Sequence, residues 1–130
     1  MEIKREKYAW EEVSRFVKEK KDNKDEKKRF RAILRKLPAL IVNNGLGQTL
    51  AFLLSKGKDG KSVEGKVYEI LEKWVCDHKK TCLENNPSLM LSIMEGNSIQ
   101  CMHATMEILQ LSIWLKRFAE ALIEEEGDER

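Results

Sequence analysis

Two apolar helical runs meet at Asn43-Asn44-Gly45-Leu46-Gly47, and no other stretch restricts the chain as tightly. Before the junction, Phe30, Ile33, Leu34, Leu37, Leu40 and Ile41 recur at steps of three and four, the spacing of one face of an α-helix. After it, Leu46, Leu50, Leu53 and Leu54 do the same, before Ser55-Lys56-Gly57. Asn44-Gly45 ends the first run, because glycine takes the left-handed conformation at a helix C-terminus without a Cβ penalty. Gly47 then falls in the first turn of the next helix; alternatively it lets a second backbone or a phosphate approach closely. Pro38 lies inside the first run. It has no amide hydrogen and its ring clashes with the preceding turn, so it is expected to kink the helix or split it.

Helical periodicity continues on both sides of this block. Residues 3–21 carry Trp10, Val13 and Val17 on one stripe, widened by Ala9 and Phe16. Asp22-Asn23-Lys24-Asp25 breaks the pattern, and Asn23 with Glu26 reads as a capping box for the next helix. Residues 57–65 read as a loop. A fourth helix carries Val63, Val67, Ile70, Leu71, Trp74 and His78, and Asn85-Asn86-Pro87 ends that part. A short apolar helix over 88–95 precedes a break at Glu95-Gly96-Asn97-Ser98. The last helix, about 98–125, has two stripes: Ala104, Ile108, Leu111, Leu115, Phe118 and Leu122, and Met102, Met106, Leu109 and Ile113. Two stripes imply a central helix covered on most sides. Its acidic end opposes the helix dipole, so 125–130 is expected to fray.

The 130 residues suit one domain over 1–130, and 42% hydrophobic residues suffice for a core. With two prolines and seven glycines, long uninterrupted helices are favoured over a sandwich or barrel. The fold class is all-α. No apolar run approaches the ~20 residues of a membrane span, and no signal peptide is evident. Three cysteines, Cys76, Cys82 and Cys101, cannot all pair with one another. Reduced thiols and a cytoplasmic location are therefore expected.

Charge is uneven. Residues 1–36 hold a net +6 and residues 37–130 a net −4. Such asymmetry suggests an end that faces a polyanion, although a solvated face rich in Lys and Glu has the same composition. Lys28, Arg31 and Arg35 share one helical face. Lys56, Lys58 and Lys61 follow the junction, and Lys116 and Arg117 lie late in the last helix. Arginine offers paired donors for phosphate, and lysine a mobile point charge. With the tryptophans on apolar stripes, backbone binding is expected and base stacking is not. The alternative for Lys116 and Arg117 is an ion pair with Glu107 or Glu120 at helical spacing.

Enzymatic chemistry finds little support. Cys76, His78, Cys82, Cys101 and His103 could supply zinc ligands, but structural sites usually present a pair of cysteines two to four residues apart. Cys76 and Cys82 are six apart and face different sides of a helix. Cys76 near His78 lacks an orienting partner. Gly45-Leu46-Gly47 follows no strand and lacks the other glycines of a nucleotide fingerprint. No metal or cofactor is expected.

Three segments resemble the small helical subunit of the type III-B CRISPR effector, the Cmr complex. Tyr8-Ala9-Trp10-Glu11-Glu12-Val13 looks like the family's first helix, and Leu37 to Gly57 resembles its most recognisable block. Thr105 to Leu111 with Trp114 to Glu120 resembles its closing block. The resemblance covers almost the whole chain. It implies a compact bundle of about six helices and a non-catalytic protein in antiviral defence. Several copies would line the inner side of the effector, beside guide RNA, target RNA and the other Cmr subunits. Target cleavage would belong to the repeated backbone subunit. Pro38, Asn44, Gly45 and Gly47 form the structural turn. Lys28, Arg31, Arg35, Lys56, Lys58, Lys61, Lys116 and Arg117 are the candidate RNA contacts, with the acidic tail expected away from the groove or at a protein interface. The competing reading is a helical adaptor for protein partners with no nucleic-acid role.

Overall fold

The computed structural model describes residues 4–57, 61–78 and 88–124, with only the backbone of His78. Among the described residues six α-helices follow one another: α1 Arg5–Glu19, α2 Lys24–Asn44, α3 Leu46–Lys56, α4 Val63–Glu72, α5 Leu89–Glu95 and α6 Ser98–Leu122. No strand occurs among the described residues. The fold is all-α, with the long α6 packed along both α1 and α2, while α3 joins α2 to α4.

Helix starts follow local chemistry. Asn23 Oδ1 accepts from the Glu26 amide at 3.0 Å, which satisfies one of the orphan donors of the first turn. Only half of the expected capping box is used, because the Glu26 carboxylate pairs with Lys20 at 2.8 Å. The reciprocal box lies at α6: Asn97 Oδ1 accepts from the Gln100 amide, and Gln100 Oε1 from the Asn97 amide. Ser62 caps α4 through the Gly65 amide at 2.9 Å, so helix begins within the span expected as loop.

Pro38 neither splits α2 nor ends it; 21 residues wind as one helix through it. An interior proline costs about 3 kcal/mol or more. Leu34, Leu37 and Ile41 on the flanking turns are all buried, and each large aliphatic in a core contributes about 2–5 kcal/mol relative to alanine. Packing therefore outweighs the missing hydrogen bond. The helix stops at Gly45, whose φ of 85° lies in the left-handed region. Its amide donates to the Ile41 carbonyl at 3.0 Å, and its own carbonyl accepts from the Thr49 amide and hydroxyl. One residue thus closes α2 and opens α3.

A single core cluster fills the interior. Phe16 of α1 stacks on Phe30 of α2 with ring centroids 3.8 Å apart. Tyr8 lies 4.9 Å from Trp74. After α4 the chain widens into a π-helix over Lys73–His78, which buries the adjacent side chains of Trp74 and Val75 completely. Arg5, Trp74 and Glu107 form the main polar junction. Arg5 Nη2 donates to both Glu107 oxygens at 3.1–3.2 Å, and Trp74 Nε1 donates to Glu107 Oε1 at 3.0 Å.

Three expectations change. Trp10 is not core: it is 46% exposed and meets Phe118 edge-on, while Tyr8 and Ala9 take the buried positions. The second stripe of α6 is not covered, since Met102 and Met106 are 54% and 59% exposed and Ile113 is exposed beside them. Nor are all thiols reduced: Cys76 is disulfide-bonded, its partner lying outside the described residues. Cys101 is free and points its Sγ at the Ile93 carbonyl. Leu91, Met94 and Ile99 are exposed as well. No described helix is long and apolar enough to cross a membrane.

Two stability outcomes follow. Replacing Gly45 by alanine keeps a left-handed backbone that an L side chain resists, at a cost of about 1–2 kcal/mol. Urea unfolding of Gly45→Ala should show that loss, and an unchanged midpoint would contradict the junction as described. Tyr8 donates to the Ile70 carbonyl at 2.7 Å, and its phenol is held above its ordinary value, chiefly by burial and secondarily by Glu12. Below pH ~10 the phenol is neutral in both folded and unfolded chains, so its full contribution is present. Above that value only the unfolded chain ionises, so stability is lost as pH rises, at a limiting slope of about 1.4 kcal/mol per unit. Tyr8→Phe should cost about 1 kcal/mol near neutrality, from the lost hydrogen bond. The variant should also flatten the alkaline loss relative to the parent. Parallel curves above pH 10 would contradict a buried neutral Tyr8.

Candidate nucleic-acid interface

The inner side of α2 is fixed by Phe30, Leu34, Leu37 and Ile41, all buried. At 100° per residue the outer side then carries Lys28, Ala32, Arg35, Lys36, Ala39 and Asn43. These residues, with Arg31 and Leu40, line a surface groove of about 720 Å³. Its floor is aliphatic, from Ala32, Ala39 and Leu40, and its rim is cationic. Aliphatic stems with charged ends in water are the usual disposition of lysine and arginine. The arrangement presents a row of cations without a carboxylate among the lining residues, which can follow a phosphate backbone but offers no ring for stacking.

The groove gathers three of the eight candidate contacts, Lys28, Arg31 and Arg35. Arg35 is exposed and lies 3.8 Å from Glu120 of α6. Arg31 is only 9% exposed, so its stem belongs to the packing of the molecule as well as to the groove. Lys36 joins the rim and was visible in the spacing, one helical turn after Ala32. Arg29 belongs to the same basic run, but its guanidinium is bound to Glu64 at 2.7–2.9 Å and bridges α2 to α4.

The remaining candidates lie elsewhere. Lys56 opens on a different hollow, shared with Asp25, Glu26, Arg29 and Glu64, where three carboxylates oppose an anion. Lys61 is exposed just before the Ser62 cap of α4, and Lys58 lies outside the described residues. Lys116 precedes Glu120 by one turn on the α2-facing side of α6, whereas Arg117 lies on the bare side with Met106 and Ile113. Among the described residues neither forms an ion pair with Glu107 or Glu120; Glu107 takes Arg5, and Glu120 takes Arg35.

The structural turn behaves as a turn. Gly45 is the cap, and a Cβ on Gly47 would meet only the end of Met94, at an ordinary 3.6 Å. Among the described residues no three of His, Cys, Asp and Glu come together to hold a metal ion; Cys82 and the His78 side chain lie outside that description.

Residues 1–122 match the family model described as CRISPR-associated protein (Cas_Cmr5). The chain is also similar to the CRISPR system Cmr subunit Cmr5 of Thermus thermophilus, with 33% identity over 97 residues, covering 74% of this chain and 76% of that protein. An all-α body, a long closing helix and a match across nearly the whole length agree: the chain belongs to the Cmr5 family of CRISPR-associated proteins.

Proposed function

We propose that this chain is a non-catalytic small subunit of the Cmr effector that packs in several copies along the guide RNA–target RNA groove. It holds RNA by its backbone through the outer face of α2 and reads no sequence. The observation that carries this reading is the convergence of Lys28, Arg31, Arg35 and Lys36 on one groove. Family membership supplies the association with other Cmr subunits. Phosphate contacts position a protein on nucleic acid without specifying bases, and guided systems leave sequence to base pairing. The bare face of α6, with Ile99, Met102, Met106 and Ile113, supports contacts to further copies or neighbouring subunits, since methionine-rich surfaces suit protein interfaces. Work in the cytoplasm, beside the RNA it would bind, completes this reading.

Charge reversal at Lys28, Arg35 and Lys36 together tests the RNA face. Arg35 and Lys36 are exposed and Lys28 is half-buried; surface substitutions shift stability by only about 0.5 kcal/mol each, so the triple variant should fold normally. Arg31 is a poorer choice for reversal, because its buried stem makes Arg31→Glu a folding variant as well. In an effector reconstituted with the triple variant, RNA affinity should fall. The slope of log affinity against log salt should shrink by roughly 0.7–1 for each lost phosphate contact. An unchanged affinity and slope would overturn the α2 face as the RNA contact.

A further inference from the structure

Three residues that wall the cationic groove, Ala32, Lys36 and Leu40, also wall a second hollow of about 390 Å³ where α2, α3 and α4 meet. Clefts that hold small ligands span about 300–1,000 Å³. Beside the aliphatic side chains of α2, the hollow is lined by Phe52 of α3. Phe52 is 42% exposed, whereas Phe16 and Phe30 are buried in the core. Among the described residues its ring pairs with no other aromatic ring. The polar lining is Lys36 and the Arg29–Glu64 pair. Glu64 is only 4% exposed. Its Oε2 accepts from Arg29 Nε at 2.9 Å and from Nη2 at 2.7 Å. Its Oε1 accepts no hydrogen bond among the described residues, and Arg29 Nη1 donates none. An oxygen of a buried carboxylate is ordinarily given a donor, and a molecule in the hollow can supply it.

We propose that this hollow takes one unpaired nucleobase of the RNA whose backbone follows α2; the inference rests on that RNA reading. The base stacks on Phe52, and its edge meets Glu64 Oε1 and Arg29 Nη1. Each of the four bases carries an N–H donor beside an acceptor on its pairing edge, and that edge is open in a single strand. A carboxylate and a guanidinium side by side therefore serve all four and add no sequence readout. Charge selects the occupant. Two cations, Arg29 and Lys36, stand against one carboxylate, Glu64, which disfavours a lysine or arginine from a partner protein. A purely aliphatic side chain would leave Glu64 Oε1 without a donor. A nucleotide answers both: its base covers the apolar lining, and its phosphate meets Lys36, which belongs to groove and hollow alike. A cationic track with an aromatic platform beside it is how single strands are held without sequence preference.

The test measures binding of the full chain to a short single-stranded RNA and to an RNA duplex of the same sequence. It compares the parent, Phe52→Leu, Phe52→Trp and the charge reversal of Lys28, Arg35 and Lys36. Phe52 lies outside the core cluster, so both substitutions should fold. Phe52→Leu is expected to bind the single strand about tenfold more weakly. Its salt slope should be unchanged, because stacking releases no counterion. Its duplex affinity should equal the parent's, and Phe52→Trp should restore single-strand binding. Equal single-strand affinity for parent and Phe52→Leu, with binding weakened by the charge reversal, overturns the base site and leaves the RNA reading standing. An equal loss on single strand and duplex, or no recovery in Phe52→Trp, makes Phe52 a structural residue and also overturns the base site. A single-strand loss in Phe52→Leu with none on charge reversal supports the base site and overturns the α2 row. No RNA binding by the parent overturns the RNA reading and the base site with it.

Discussion

Burial of Phe30, Leu34, Leu37 and Ile41 sets the rotation of α2 about its own axis, and the surface chemistry of the molecule depends on that rotation. With those four side chains inside, Lys28, Arg35, Lys36 and Ala39 must face out. The apolar term is large, at about 25 cal/mol per Å² removed from water. Cations on this outer side contribute little to stability, because ion pairs at the surface are weak. The same term carries the helix through Pro38, so the basic row and the Gly45 junction belong to one rigid rod.

Around that rod the polar groups that enter the interior are tied to one another. Glu107 holds Arg5 and the Trp74 indole, which joins the start of α1, the π-helical turn and α6. Glu64, itself buried, is held by Arg29, and Tyr8 donates to the Ile70 carbonyl. A buried polar group left unpaired costs about 1–3 kcal/mol, so these pairings fix how the helices dock as well as whether they do. Arg29, in the same basic run as Lys28, is committed to the Glu64 carboxylate and bridges α2 to α4.

Much of this architecture is legible in the sequence. Steps of three and four place all six helices, and Gly45, Asn23 and the break at 95–98 mark their ends. Spacing alone does not say which of two apolar stripes on α6 meets the core. Ala104, Ile108 and Leu111 do, because small and branched side chains admit close approach of α1 and α2, and the methionine stripe is left bare. Trp10 likewise sits at helical spacing with Val13 but lies at the rim, where Phe118 covers one edge. For the candidate interface, Lys28, Arg31 and Arg35 share a helix, so periodicity joins them. Lys56 could not be placed this way, because its surroundings, Asp25, Glu26 and Glu64, come from two other helices.

A cationic groove on α2 and a bare apolar face on α6 are the two features on which the proposed role rests. The measurement that reaches this claim most directly is lysine-acetylation footprinting of the assembled effector, with and without its guide and target RNA. Protection of Lys28 and Lys36 on RNA binding, with Lys7, Lys18 and Lys73 unchanged, is the predicted result. Full reactivity at Lys28 and Lys36 in the RNA-loaded effector would contradict it.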